Sequence, residues 1–445
     1  MALESQVAKV GSISGNDYTG LLHEVYAGRV KPALRATSVT QQLFQEAGPG
    51  EYRLDGEKLV GSTDLRFSGQ AMHTTGYYPD HIEHDAVEWQ ITPTRAFRRG
   101  AIDNFVEARG GNGPGSFGDV AERLFDQTFD AFKRLKIRSA VGGSSGVVCV
   151  TSSRTRATVV VMKDGYNHVG TNPIMHLQPD MILAWLDATN SYAVGGSGII
   201  SSIAPSTNTV TFAASIENGS GTPTIAAADL WVFATTTPYS VDYFETEYNN
   251  ARNGLLDIID PDANDTTTLN ISTATYPAWS PYRVASSTFD HIEVTEFLSQ
   301  LAAQSTDPVT PQSHVLLCAG GVRAEMARTL EGYQQQMQLG RTFEGGYRAV
   351  VVAGQDLIDD PWQIHDVLYA VCTENLYSVT IGGEEEFVED GGSMYQPFLD
   401  FDGKQWVVRE YGNDFADRRN RMGALTGISL PNVNENLFTP VPGAA

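Results

Sequence analysis

GEYRLDGEKLVGSTDLRFSGQAMHTTGYYPDHIEHDAVEWQITPTRAFRRGAID, residues 50–103, reads as a long two-stranded ribbon. Stretches such as Tyr52-Arg53-Leu54 and Val87-Glu88-Trp89-Gln90-Ile91 alternate in polarity, which sends successive side chains to opposite faces of a strand. The tip is rich in turn residues (Thr74, Thr75, Gly76, Pro79, Asp80). Little contiguous apolar sequence accompanies the alternation, and an isolated hairpin is marginally stable in water. The edges of such a ribbon also offer unpaired backbone groups to a neighbour. Residues 1–49 do not supply the missing support. They are polar and punctuated by Gly and Ser, with one short helical candidate near Val39 to Gln45, and read as an arm without its own core. The order of parts therefore points to an assembling subunit before it points to an enzyme.

Directly after the ribbon, Gly110 to Gly118 break the chain and Asp119 opens the strongest helix. Over about 119–138, Val120, Leu124, Phe125, Thr128, Phe129, Phe132 and Leu135 recur at three- and four-residue steps and form one apolar stripe. Asp119 and Glu122 sit in the first turn, while Lys133, Arg134, Lys136 and Arg138 crowd the last, which complements the helix dipole. From Val147 to about Ser240 the texture changes to short strands separated by Ser, Thr and Gly. Strands are expected at Val147–Val150, Thr158–Met162, Met181–Trp185, Gly198–Ile203, Thr209–Ala213 and Leu230–Phe233. Regular short strands imply a small sandwich or barrel.

Helices and strands then mix. A helix is expected at Phe289–Gln304, capped by Ser287 or Thr288, with Ile292, Phe297, Leu298 and Leu301 inward. A second, Gly321–Leu339, is striped by Val322, Met326, Leu330, Tyr333 and Met337. Strands are expected at Val315–Cys318, Tyr347–Val352, Val367–Cys372, Met394–Leu399 and Gln405–Tyr411. The arrangement lacks Rossmann regularity, so the class is α+β.

At 445 residues the chain exceeds the roughly 250–300 at which single cores stop growing. Hydrophobic content of 41% supplies real cores, while 43 Gly and 20 Pro favour a β-rich, loop-rich architecture. The formal charge of −23 argues against tight phosphate binding, which rests on Lys and Arg displacing counterions. It suits a soluble protein, or a wall along which nucleic acid slides without sticking. Cys149, Cys318 and Cys372 are odd in number, far apart and set in apolar runs, and read as buried thiols. The N-terminus has no basic region followed by an apolar stretch, and no run of about 18 apolar residues exists. A cytoplasmic chain with no membrane association is expected.

No catalytic constellation emerges. Gly142-Gly143-Ser144-Ser145-Gly146 has the form of a nucleophile elbow, but a helix precedes it and a strand follows, the reverse of what that motif needs. His81 and His84, with Asp85 beside them, specify no third metal ligand. Asp260, Asp262 and Asn264 open like a calcium loop, yet Asp265 stands where Gly is needed and Ile271 where Glu is needed. Glu384-Glu385-Glu386 reads as a solvated acidic loop, and the sequons at Asn218, Asn264 and Asn270 carry no weight without a secretory signal. There is no Walker loop, dinucleotide fingerprint or Cys-x-x-Cys. No catalytic, cofactor-binding or metal residues are assigned, and no cofactor is expected.

The order of these parts resembles the major capsid proteins of tailed bacteriophages, with the Hong Kong 97-type fold. In that likeness residues 1–49 resemble the N-terminal arm, 50–103 the E-loop, and 104–146 the spine helix and start of the P domain. Residues 147–240 resemble P-domain strands and an inserted β-barrel-like domain, on the texture of Pro179-Asp180-Met181, Ile200-Ser201-Ser202-Ile203 and Asn208-Thr209-Val210-Thr211. Residues 241–285 resemble a P-domain loop, with Gly254-Leu255-Leu256-Asp257 and Trp279-Ser280-Pro281-Tyr282-Arg283. Residues 286–380 look like the A domain, and 381–445 like returning P-domain strands and the C-terminus, including Gly412-Asn413-Asp414 and Arg418-Arg419.

The resemblance implies a non-enzymatic virion protein. Such a protein forms hexamers and pentamers of an icosahedral head around double-stranded DNA, by way of a maturing procapsid in the host cytoplasm. Separate scaffolding, portal and decoration proteins are the implied partners. The chain shows no charged coiled-coil scaffold at its start, and Lys58, the only lysine in the ribbon, has no identified crosslinking partner. Gly48, Gly50, Gly100 and Gly110 to Gly115 are the expected hinges. An encapsulin-like compartment and a β-rich tail-associated or hydrolytic protein are the alternatives.

Overall fold

The computed structural model describes residues 38–48, 52–64, 86–103, 117–168, 171–189, 191–216, 225–234, 246–262, 266–332, 339–342, 348–381, 386–387, 396–397 and 403–429. They form a mixed α+β fold. Two compact units divide the chain: one takes residues 1–37, 94–137 and 380–412, the other 38–93, 138–379 and 413–445.

In the first unit, strand Thr94–Asp103 lies antiparallel to residues 403–412 of the long strand Gly403–Ala416, from Asp103 opposite Gly403 to Thr94 opposite Gly412. The short strands Glu386–Phe387 and Gln396–Pro397 pair with the same long strand. Trp406 stands opposite Gly100 and is 1% exposed. A methyl group on Gly100 would overlap its ring, so this glycine makes room for a tryptophan and does not act as a hinge. The long helix Phe117–Val141 starts earlier and ends later than its polarity pattern predicts. Phe129 and Phe132 are buried on it, as the stripe requires. Lys136 of this helix reaches the buried Glu410 carboxylate at 3.1 Å.

In the second unit, strands Arg53–Asp55, Lys58–Asp64 and Ala86–Ile91 form a three-stranded antiparallel sheet. Asp55 pairs with Lys58 across a two-residue turn whose first residue, Gly56, has φ 64°, as a tight hairpin requires. The predicted two-stranded ribbon is thus three strands at its base, and Thr94–Asp103 pairs elsewhere. Trp89 faces Gly61 across the ladder and packs tilted against Phe415, ring centres 4.4 Å apart, and Leu59, Val60 and Ile91 are buried.

Strands Val147–Arg156, Val159–Lys163, Ile182–Asp187, Ala193–Ala204, Thr209–Phe212 and Leu230–Phe233 close into a barrel. Val160, Met162, Trp185, Ile200, Val210, Phe212 and Trp231 fill it. The two indole N–H groups are satisfied inside, by Thr151 Oγ1 at 2.7 Å and the Ile216 carbonyl at 3.2 Å. Arg138 joins the end of the long helix to the barrel by hydrogen bonding to Glu247 at 2.7 Å and lying over the Phe233 ring.

A seven-stranded mixed sheet follows, in spatial order 282–285, 423–426, 368–372, 314–318, 355–359, 348–352, 339–342. All five residues of His314–Cys318 are buried because both faces are covered. Leu316 and Cys318 face helices His291–Ser305 and Gly320–Gly332, packing with Phe297, Leu301, Val322 and Met326. Val315 and Leu317 face the other way, towards Val39, Leu43, Val141, Leu255, Ile258 and Ile259. The first of these helices is capped by Asp290, whose carboxylate accepts from the Glu293 N–H at 2.8 Å, and not by Ser287 or Thr288. The later start carries Ile292 to the surface, 51% exposed, and puts Val294 in the core instead. The second helix ends at Gly332, so Leu339 begins a strand; Tyr333 and Met337 lie outside the described residues. Of the strand expected at Met394–Leu399, only Gln396–Pro397 is described.

The end of the expected arm is core. Helix Val39–Leu43 buries Val39 and Leu43, and strand Gln45–Glu46 runs parallel to Tyr377–Ser378. Asp360, fully buried, fastens it. One carboxylate oxygen accepts from Ser38 Oγ at 2.7 Å, Thr40 N–H at 3.0 Å and Thr40 Oγ1 at 2.6 Å. Gln363 donates to Thr40 Oγ1 at 2.7 Å.

Three outcomes are expected. Asp360→Ala strands buried donors and removes a charge-assisted anchor, so the urea midpoint should fall by the equivalent of about 3–5 kcal/mol, with new protease cleavage within residues 38–48. Gly100→Ala should cost about 1–3 kcal/mol through overpacking against Trp406. Gly48→Ala, with nothing within 4 Å of the added methyl, should stay within about 0.5 kcal/mol of wild type by the same measurement.

Candidate assembly surface

Several residues singled out in the sequence occupy structural positions. The Gly142–Gly146 segment is the turn that stops the long helix: Gly142 N–H donates to the Arg138 carbonyl at 2.8 Å, the Asp257 carboxylate accepts from Ser144 N–H, and Gly146 has φ 65°. A helix precedes it and a strand follows. Asp260 pairs with Arg283 at 3.3 Å and Asp262 with His168 at 3.0 Å, so their carboxylates are already engaged. Asn264 and Asp265, His81, His84 and Asp85, Glu384 and Glu385, Asn218, Gly50 and Gly110 to Gly115 lie outside the described residues. Asn270 is exposed in a turn, and Glu386 opens a short strand. Lys58 donates to Gln90 Oε1 at 3.2 Å. Cys149, Cys318 and Cys372 are free and buried, and burial pushes all three thiols up, away from reactivity. Among the described residues no group of three His, Cys, Asp or Glu side chains is placed to hold a metal ion, and no helix is long and apolar enough to cross a membrane.

Other polar groups with structural weight gave no sequence signal, because their partners lie far along the chain. Arg419, fully buried, donates to the Ile258 and Asp257 carbonyls at 2.6 and 3.1 Å, closing the C-terminal end of helix Leu255–Ile259. His314 has one ring nitrogen on Ser313 Oγ at 2.8 Å and the other on the Arg421 carbonyl at 3.0 Å. Burial holds its pKa below the ordinary histidine value, with the Arg421 charge acting the same way. Burial also lowers His365, against the opposing charge of Asp366. His168 goes the other way. Burial alone would depress it, but hydrogen bonds to Asp262 and Asp366 outweigh that and hold it up at about 9.

The feature best placed to engage another molecule is strand Thr94–Asp103. One edge is fully paired with 403–412; the other meets no strand among the described residues. Arg95, Phe97, Arg98 and Arg99 are exposed along it, Phe97 by 50%, with the Phe97 ring edge-on to Tyr411 at 5.9 Å. In a chain of net charge −23, three arginines within five residues make a local basic ladder beside an open backbone edge. Charged side chains on an edge strand restrain indiscriminate pairing while leaving the edge available to a complementary partner. In the three-stranded sheet of the second unit, Leu54 is 56% exposed beside an Arg53–Glu88 ion pair of 2.8 Å.

No family model and no curated protein matches the sequence. Among solved structures the chain is similar to the Cyanophage A-1(L) capsid asymmetric unit, with a TM-score of 0.46, 10% identity and coverage of 89% of this chain and 92% of that one. It is similar to the capsid of an empty GTA particle, with a TM-score of 0.44, 8% identity and coverage of 88% and 97%. It is also similar to the SrpI encapsulin complex from Synechococcus elongatus PCC 7942, with a TM-score of 0.37, 8% identity and coverage of 78% and 79%.

The depressed histidines set an acid limit on stability. A folded pKa below the unfolded value of about 6.5 means that the contribution stands above that pH and is lost as pH falls. Urea unfolding of the full chain should weaken from pH 7 to pH 5, each such histidine adding up to about 1.36 kcal/mol per pH unit. His365→Gln should flatten that slope.

Proposed function

We propose that the chain is the major subunit of an icosahedral phage head, assembling as hexamers and pentamers around double-stranded DNA. The observation that carries this reading is the open, Arg-lined edge of Thr94–Asp103 with Phe97 exposed beside it. A ten-residue edge is a backbone template for another chain, and both it and exposed Leu54 fall in the stretch that the sequence marks as needing outside support. The order of sequence parts supports the same reading, with residues 1–49 as arm, 50–103 as E-loop, 104–146 as spine helix and start of the P domain, and 286–380 as A domain.

Obligate interfaces bury about 2,000–5,000 Å². Repeated around a shell, modest contacts of this kind sum to a durable container even after binding entropy is subtracted. A net charge of −23 gives such a wall little affinity for the phosphates of packaged DNA. Scaffolding, portal and decoration proteins complete the proposed set of partners, and assembly takes place in the host cytoplasm.

Size-exclusion chromatography with negative-stain microscopy tests this. The wild-type chain should elute in high-mass particles, or form them on concentration. Phe97→Asp combined with Arg98→Glu should leave far-UV circular dichroism unchanged and the chain folded, yet yield only small oligomers. Shells from the double variant would remove this edge from the assembly surface, and a wild-type chain that stays monomeric at every concentration would end the proposal.

A further inference from the structure

Three stretches of chain converge on one imidazole. His168, 5% exposed, ends the loop that leaves barrel strand Val159–Lys163. Its Nδ1 lies 3.0 Å from Asp262, shortly after helix Leu255–Ile259, and its Nε2 lies 2.6 Å from Asp366, just before sheet strand Leu368–Cys372. Ionised carboxylates only accept hydrogen bonds. Two of them on one ring require both nitrogens to carry a proton, so the geometry itself calls for an imidazolium.

The loop held this way is strained. Tyr166, at φ 56°, holds the left-handed conformation that a bulky side chain adopts only when its surroundings impose it, between Asp164 and Asn167 at 47° and 60°, residue types that enter that region more readily. A second tie imposes it from the same direction. Tyr166 is buried and shares a hydrogen bond with His176, whose ring stacks on Trp362 at 5.2 Å. Trp362 and Asp366 belong to one short segment, so that segment grips the loop twice.

We propose that the His168 imidazolium is a pH-sensitive clasp that fixes the loop after barrel strand Val159–Lys163 to the segment leading into sheet strand Leu368–Cys372, and that loss of one ring proton releases the loop. A neutral ring keeps a single N–H. One carboxylate would then face a nitrogen lone pair, and the attraction that offsets crowding among Asp260, Asp262 and Asp366 would vanish. The other charged and titratable groups around the ring do not take over the role. Arg283 is committed to Asp260 and the Ile259 carbonyl. Burial holds the Tyr369 hydroxyl protonated, reinforced by the charges of Asp262, Asp366 and Asp260, and burial disfavours the charged form of His365. Asp164 lies 3.8 Å from Lys163.

The sign follows from the direction of the shift. A histidine raised to about 9 contributes stability that is complete below the ordinary value of about 6.5 and lost as pH rises through 9. The clasp is closed at neutral pH and opens on the alkaline side. All four tied segments lie in one compact unit, so the inference stands independently of assembly.

The full chain can be tested without knowing any partner. In wild-type protein, amide-exchange protection of residues 164–168 should drop more than about tenfold between pH 7 and pH 10, the change that one pKa unit represents, while the core strand 368–372 stays protected. His168→Gln, which can satisfy only one carboxylate with its amide N–H₂ and carries no charge, should leave the loop poorly protected and insensitive to pH across that range. Should the variant fold badly, histidine-labelled wild type decides the matter by nuclear magnetic resonance. One buried ring should be an imidazolium at pH 8 and titrate near pH 9. Absence of any such ring, or loop protection unchanged from pH 7 to 10, would overturn the clasp.

Discussion

Strand register in this protein rests on tryptophans lying over glycines. Trp89 is paired with Gly61, Trp406 with Gly100 and Trp185 with Gly196, each across an antiparallel ladder. In all three places the indole occupies the space that a side chain on the opposite strand, or on its neighbour Gly195, would need. Register is strongly specified where one sheet face is buried and weakly specified where strands are Gly-rich and polar on both sides. The strands of the first two ladders are closer to the second kind: RAFRRGAID and KLVGSTD bring few apolar residues of their own. In those two ladders a one-residue slip would move the indole from a glycine onto a side chain and turn it out of the core. One large ring over one missing Cβ thus does the work that a continuous apolar stripe does elsewhere, and it does so separately in the three-stranded sheet and the edge-strand ladder.

Buried charge supplies the second level of specification, between segments and not within them. Asp360 holds residues 38–40 across a sequence separation of about 320 residues, Arg419 closes a helix about 160 residues away, and His168 spans two further segments. Asp360 and His168 each hold more than one hydrogen bond, and Arg419 donates to two carbonyls, which is how a buried charge becomes tolerable. Apolar packing alone would let short segments such as Val39–Leu43 slide on the sheet. Directional hydrogen bonds to a fixed carboxylate allow one position only.

Much of this was legible in the sequence, and the boundary of legibility is physical. All six barrel strands are expected in the right places, because short apolar runs between Ser/Thr/Asn turns signal themselves locally, but Val147–Arg156 and Ala193–Ala204 run five or six residues beyond their apolar cores. The long helix was found because three phenylalanines recur at helical spacing. What failed depended on distant partners. The cap is a local exception: Asp290, and not Ser287 or Thr288, starts the helix because the Glu293 carboxylate, accepting from Ser286, Ser287 and Phe289, fixes the loop before it. Gly100 looked like a hinge because its tryptophan lies about 300 residues downstream. The arm looked coreless because its anchor, Asp360, is equally remote. Asp262 was weighed as a calcium ligand when its partner is a histidine on another segment.

The edge strand shows how the two levels combine. Its paired side is fixed by Trp406 over Gly100, and the adjoining helix is held to the long strand by the Lys136–Glu410 pair, whose carboxylate is 1% exposed. Rigidity on that side is what makes the open side usable. A floppy edge loses conformational entropy when it binds, whereas a strand already held in register across ten pairs gives up little. The arginines then set the terms of pairing. Neutral or apolar edges associate with any strand, but three positive charges repel one another's copies and select an acidic surface, which a chain of net charge −23 offers in abundance.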